Sequence, residues 1–201
     1  MIHGKMVLAG GTGFLGRILT QWFGRQGFEI ITLSRKPEIH PIARTVHWDG
    51  QTIGDRYGLW QGVRGVFEVL SHLTRLGLGG KMTSGKQYVS WIHEEDFCRA
   101  IEWLLNQPHA EGVYNITSPN PVPNREMMAA FREVYRITFG LPASRIMLEI
   151  GAFFMRTETE LIIKSRRVIP RRLLDEGFTF SFPHIREAIA NLAEIRLESR
   201  I

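Results

Sequence analysis

Apolar and polar positions change period several times along the chain. Met6-Val7-Leu8-Ala9 and Phe28 to Leu33 are short apolar runs of strand length. Between them Leu15, Ile18, Leu19, Trp22 and Phe23 recur at i, i+3, i+4, i+7 and i+8, the spacing of a helix with one buried stripe. Strand, helix and strand make a βαβ half-unit. Arg44-Thr45-Val46-His47-Trp48 reads as a third strand, reached by an unusually short crossover in which Pro37 and Pro41 limit any helix. Residues 51–65 are glycine-rich and aperiodic, so they read as a loop. Val66, Val69, Leu70, Leu73 and Leu76 then predict a helix that stops at the glycines from Gly77 to Gly80.

The second half alternates in the same way. Gln87 to Ile92 predicts a short strand and Glu94 onward a helix with Phe97, Ala100, Ile101, Leu104 and Leu105 on its apolar face. Glu94, Glu95 and Asp96 stand in its first turn, where negative charge complements the helix dipole. Val113 to Thr117 reads as another strand, and the three prolines between Ser118 and Pro123 as a rigid connection. Asn124 is placed to cap a helix that runs to about Tyr135. Beyond Gly140 come a Met- and Phe-containing helical stretch, a basic segment, a strand candidate at Gly177-Phe178-Thr179-Phe180, and a last helix with Ile185, Ala188, Ile189, Leu192 and Ile195 on one face.

Chemistry concentrates between the first strand and the first helix, at Gly10-Gly11-Thr12-Gly13-Phe14-Leu15-Gly16. Glycines serve where the chain turns tightly out of a strand, where backbone must approach a pyrophosphate, and where the helix must pack closely, so that its free N–H groups face the phosphates. Gly10, Gly13 and Gly16 would make the pyrophosphate turn, with Gly11, Thr12, Phe14 and Leu15 giving backbone approach. A structural turn is the other reading of the same glycines. At the end of the second strand, Thr32-Leu33-Ser34-Arg35-Lys36 lacks the acid that binds the NAD ribose. Ser34, Arg35 and Lys36 suit the 2′-phosphate of NADP instead, so NADP is expected over NAD; Arg35 and Lys36 solvating a loop is the alternative.

Composition narrows the partners. The 201 residues suffice for one domain with a small appendage, and 44% hydrophobic with 22% charged residues is ordinary for a folded soluble protein. No apolar run reaches membrane-spanning length and no signal-peptide pattern precedes the first strand, so a cytoplasmic location without membrane partners is expected. The single Cys98 excludes an intramolecular disulfide, and neither it nor the seven histidines show metal-ligand spacing; Cys98 reads as a buried structural thiol. A net charge of +5 and the run Lys164-Ser165-Arg166-Arg167 with Arg171-Arg172 invite a nucleic-acid reading. Without aromatic interleaving or a binding motif, a solvated or substrate-facing basic surface is preferred.

The glycine segment together with Leu33-Ser34-Arg35, Arg75-Leu76-Gly77-Leu78-Gly79-Gly80, Ser84-Gly85-Lys86-Gln87, Ser90-Trp91-Ile92-His93 and Ser118-Pro119-Asn120-Pro121-Val122 resembles the epimerase-like family of extended short-chain dehydrogenase/reductases. The stretch from Arg167 to Phe178 is similar to that family's small C-terminal domain of unknown function. The resemblance implies an α/β fold, a Rossmann-like doubly wound parallel sheet with a small C-terminal α+β lobe. It implies an abridged NAD(P)-binding domain over 1–139 and a substrate-lobe-like segment over 140–201. It also implies an oxidoreductase or epimerase acting on a small molecule of unknown identity.

One departure is large. Between Asp49-Gly50 and Val66 a family member carries further βα units, roughly a hundred residues, so an internal deletion is implied. The family's catalytic Tyr-x-x-x-Lys belongs to that part. Four residues after Tyr57, Tyr88, Tyr114 and Tyr135 stand Gln61, Ile92, Ser118 and Phe139, so no such pair exists in the chain. That tyrosine moves the hydroxyl proton while the lysine lowers its pKa from about 10 toward working pH. His93 and Tyr88 are the remaining acid/base candidates; for His93, local hydrogen bonding is the competing role. Val89 stands where sugar-nucleotide epimerases place a phosphate-binding arginine, which weakens a sugar-nucleotide substrate. Two functional readings follow: a catalytically impaired NADP-binding oxidoreductase/epimerase-like protein, or a non-catalytic dinucleotide-binding or self-associating interaction protein. The deletion would also leave the first strand either paired with Val113 to Thr117 or covered by another chain, a homo-oligomer being one form of that.

Overall fold

The computed structural model describes residues 4–34, 41–47, 66–143 and 165–198. Arg35, Lys36 and the Met- and Phe-containing stretch after Ala143 lie outside the described residues. The chain divides by packing into two units, Met1–Val63 and Arg64–Ile201.

In the first unit, β1 (Lys5–Ala9), α1 (Phe14–Arg25), β2 (Glu29–Ser34) and β3 (Ala43–His47) form a parallel sheet of order β1-β2-β3 with one helix. Met6 stands opposite Ile30 and Ile30 opposite Ala43, so equivalent side chains share a face across all three strands. The face of β2 that carries Ile30, Thr32 and Ser34 is buried, and α1, packed on β1 and β2, contributes Thr20 and Phe23 to the interior. Phe23 meets Phe28 edge-on at 5.5 Å, and Thr32 Oγ1 shares a hydrogen bond with Thr45 Oγ1 at 3.0 Å. This is the first half of a doubly wound sheet, an abridged Rossmann-like α/β arrangement. In a complete one β1 lies in the middle of the sheet. Here none of its residues is buried, and Val7 is 58% exposed.

The second unit contains α2 (Val66–Arg75), β4 (Tyr88–Val89), α3 (Glu94–Leu105), β5 (Val122–Pro123), α4 (Asn124–Val134), α5 (Arg171–Asp175) and α6 (Ile185–Glu198), with β4 and β5 antiparallel. Leu70 of α2, Met127, Met128 and Phe131 of α4 and Ile189 of α6 form its main core. A second cluster joins Ala100 of α3 to Leu173 of α5 and to Phe178, with Trp103 against the Phe178 ring at 5.9 Å. The two clusters tie α3 and α4 to residues beyond 170.

Several expected elements take other forms. Val113 to Thr117 is not a strand, because no neighbouring strand is present among the described residues to accept its backbone; Tyr114 and Ile116 pack on the Ala100 cluster instead. Gly177 to Phe180 is likewise unpaired, its Phe178 and Phe180 rings meeting edge-on at 4.8 Å. The strand expected over Gln87 to Ile92 shrinks to Tyr88–Val89, since its partner comes from only two residues of the proline-rich connection. Asn124 does not cap α4: its Oδ1 accepts the Met82 N–H at 2.8 Å, while its own N–H donates to the Gln87 carbonyl. On α3 the inward stripe is rotated to Asp96, Ala100 and Trp103, leaving Leu105 exposed. Leu15 on α1 and Ile195 on α6 are exposed as well, where the periodicity placed them inward.

Met128 is fully buried in the main core. Met128→Ala is expected to lower the unfolding free energy by about 2–5 kcal/mol through lost transfer energy and a residual cavity. Urea denaturation followed by far-UV circular dichroism measures it.

Candidate functional site

The glycine segment folds as a tight turn whose shape depends on missing side chains. Gly10 adopts φ +70°, a left-handed conformation that glycine enters without a steric penalty. Its N–H donates to the Leu33 carbonyl of β2 at 2.9 Å, and Gly13 N–H donates to the Gly10 carbonyl at 2.9 Å. A Cβ on Gly11 would stand 2.7 Å from Thr32 Cβ, so Gly11 is the residue that brings the turn against the sheet. A Cβ on Gly16 would stand 2.5 Å from Gly11 Cα and 2.6 Å from the Gly10 oxygen. Gly16 therefore lets α1 close on the turn itself.

These contacts aim the N-terminus of α1 along the turn. Gly13 is its extended N-cap residue and makes no side-chain cap, and the first turn holds no acidic residue. The first-turn amides of Phe14, Leu15 and Gly16 have no intrahelical acceptor, and the positive end of the helix dipole lies with them. Phe14 and Leu15 flank these amides as exposed side chains. Thr12 Oγ1 and Ser34 Oγ share a hydrogen bond at 2.9 Å, which joins the turn to the end of β2. Arg17 Nε donates to the Thr12 carbonyl at 2.9 Å. Arg17 is a residue that sequence reasoning missed; its place in the first turn, five residues after Thr12, was the available signal. All the glycines, Thr12, Phe14, Leu15 and Ser34 thus come together at one end of β1 and β2. Such a site suits an anion.

Tyr88 and His93 belong to the second unit. Tyr88 is half-buried, with its N–H on Ser165 Oγ at 3.0 Å, its carbonyl accepting from Arg166 N–H at 2.9 Å, and its ring under the Arg167 guanidinium at 5.0 Å. The basic segment therefore lies along β4. His93 is only 2% exposed. Its Nδ1 accepts the Glu95 N–H at 3.1 Å as the N-cap of α3, and its ring stacks on Phe182 with centroids 4.0 Å apart. Burial pushes its pKa below the usual histidine value, against weaker upward pulls from Asp96 and Asn191. Asn191 stands close enough to favour the protonated ring, yet His93 Nε2 and Asn191 Oδ1 are both buried without a bond of ordinary hydrogen-bond geometry. An accepting Nδ1 and a low pKa make this a neutral imidazole engaged in holding a helix end.

Asp96, fully buried, escaped the sequence reading because it reads as one of three first-turn acids that complement the helix dipole. Its carboxylate accepts the N–H groups of Ser181 and Phe182 at 2.7 and 2.8 Å and the Arg99 guanidinium at 3.0 Å. It pins residues 181–182 on the start of α3, and so positions the Phe182 ring on His93. Cys98 is buried, and desolvation, then Glu94, Glu102 and Glu95, push its thiol up to about 12, which suits a structural role. Among the described residues no three His, Cys, Asp or Glu side chains gather as a metal-ligand set, and no helix is long and apolar enough to cross a membrane.

Residues 143–192 match a protein family known as a domain of unknown function, DUF1731. The epimerase family protein Mb2239 of Mycobacterium bovis is 33% identical over 182 residues, which cover 89% of this chain and 54% of that protein. The epimerase family protein YfhF of Bacillus subtilis is 27% identical over 142 residues, 71% of this chain and 46% of YfhF. The chain thus spans about half the length of the curated relatives it matches. Among solved structures, human epimerase family protein SDR39U1 (isoform 2) with NADPH superposes with a TM-score of 0.78 at 20% identity, covering 94% of this chain and 99% of that one. The enzyme WbmH of Bordetella bronchiseptica in complex with NAD+ gives 0.62 at 12% identity, covering 94% and 96%.

Gly16→Ala is expected to destabilise the first unit by about 1–3 kcal/mol, since backbone on both sides of the new methyl must move; amide exchange of β1 and β2 reads it. For His93, the unfolded chain takes up its proton first as pH falls below 6.5, because the folded pKa is the lower one. Stability is therefore fully present above that pH and declines beneath it until the folded pKa is passed. His93→Asn, which keeps a capping side chain but cannot titrate, should give a flatter stability–pH curve than wild type between pH 5 and 6.5. Denaturation midpoints across that range check it.

Proposed function

The chain belongs to the epimerase family of short-chain dehydrogenase/reductase-like proteins, and from this premise we propose that it is an NADP-binding, oxidoreductase/epimerase-like protein whose catalytic power is impaired. The observation that carries the proposal is the turn closed by Gly11 and Gly16, where two absent side chains leave room for backbone approach at a helix N-terminus. The amides of Phe14, Leu15 and Gly16 would hold the pyrophosphate, and the Thr12 and Ser34 hydroxyls would fix the edge of the turn beside the adenosine ribose. Arg35 and Lys36, which follow Ser34 in sequence, would pair with the 2′-phosphate. The bound nicotinamide would supply a hydride donor or acceptor. The NADPH held by the human relative supports the phosphate assignment, and the NAD+ of the Bordetella enzyme shows why the preference needs its own test.

Impairment is inferred from the acid/base inventory. The sequence holds no Tyr-x-x-x-Lys pair, and His93 is occupied as a helix cap. Tyr88 has no lysine one helical turn on to lower its pKa, as Ile92 stands there. A non-catalytic dinucleotide-binding role, in a soluble compartment such as the cytoplasm, is the second reading, favoured by the same inventory. The substrate would be a small molecule.

Fluorescence titration separates these claims. Arg35→Ala should weaken NADPH at least tenfold, about 1.4 kcal/mol, while changing NADH by less than about twofold. Equal loss for both nucleotides would remove the NADP preference, and no binding of either by folded wild type would remove the cofactor reading. Turnover of carbonyl or alcohol substrates that Tyr88→Phe abolishes would make the protein an active enzyme and overturn the impairment.

A further inference from the structure

Among the described residues, β1 has one side with no neighbouring strand. The Gly4 carbonyl accepts from Glu29 N–H and Gly10 N–H donates to the Leu33 carbonyl, so strand alternation turns the backbone groups of Gly4, Met6, Leu8 and Gly10 toward β2. The N–H and C=O groups of Lys5, Val7 and Ala9 point the other way, and among the described residues no strand pairs with them. Nothing on β1 guards this edge. It has no proline, and its one charge, Lys5, is drawn to Glu29 at 3.2 Å on the β2 side.

We infer that this edge pairs with the same edge of a second copy of the chain, antiparallel, about a two-fold axis at Val7. The order Lys5, Val7, Ala9 chooses both occupant and direction. Antiparallel pairing sets Val7 against the partner's Val7 and Lys5 against the partner's Ala9, so each outward-facing residue exchanges hydrogen bonds with one that also faces outward. Met6 and Leu8 fall opposite each other, and the two lysines lie at opposite ends of the ladder. Parallel pairing would bring the lysines side by side, where like charges are destabilising. The joined sheet has six strands. The row of Val7 and Ile31, which ends at Arg44 and lies on the face away from Ile30 and Thr32, continues across the axis. A five-residue ladder buries less than the about 1,200–2,000 Å² of stable dimers, so the association is concentration-dependent. The inference concerns the sheet alone and does not depend on cofactor binding.

Sedimentation velocity over a concentration series reads it, with circular dichroism melting as the folding control. Wild type should pass from monomer to dimer below about 100 μM. Val7→Lys and Val7→Glu should each raise the dissociation constant at least tenfold, and an equimolar mixture of the two should recover the dimer, since opposite charges then face each other at the axis. A misfolded variant would not be rescued by mixing. A monomeric wild type across the range, dimers that both single variants leave intact, or a mixture that fails to recover although both variants melt cooperatively would each overturn it.

Discussion

A parallel sheet is stable when it is covered on both faces and when its central strand has a neighbour on both sides. The first unit meets this requirement by half. α1 closes one face of β1-β2-β3, with Thr20 and Phe23 inward beside Ile30 and Thr32. Among the described residues the other face has no helix, and the outer side of β1 has no strand. The exposure of Val7 descends from this shortage. A segment made for pairing stays extended but unpaired when its neighbour is missing.

The turn at Gly10 to Gly16 is held within β1, β2 and α1. Its contacts run to Leu8, Thr32, Leu33 and Ser34, all within β1 and β2. The proposed dinucleotide cradle therefore draws only on β1, β2 and α1, whereas the chain holds no Tyr-x-x-x-Lys pair for proton transfer. The second unit survives for a different reason. Asp96 supplies a buried, fully bonded carboxylate that ties residues 181–182 to α3, and the Met128 and Phe178 clusters form the unit's apolar interior. Burial of this charge is sustained by two backbone donors and Arg99 together.

Much of this was legible in the sequence. The βαβ order, the limits of α2 and α3 and the place of the glycine turn followed from periodicity and from glycine's role at tight turns. What misled was local pattern standing in for tertiary supply. Val113 to Thr117 has strand composition, but composition cannot create a partner. Asp96 sits in a first turn where acids are ordinarily solvated, which hid the inward face of α3. Asn124 has the chemistry of an N-cap, and only the folded loop at Met82 shows that its oxygen is already taken. The exclusion of Cβ atoms at Gly11 and Gly16 is likewise a three-dimensional fact, and it sharpens what a glycine spacing alone could suggest.

The central claim is that the glycine turn remains a working dinucleotide cradle in an abridged sheet. Amide hydrogen exchange with and without NADPH tests it most directly. The account predicts slowed exchange confined to the turn and first helical turn, Gly10 to Arg17, and the end of β2 near Ser34. Protection located only in the second unit, or none at saturating NADPH in a folded protein, would contradict it.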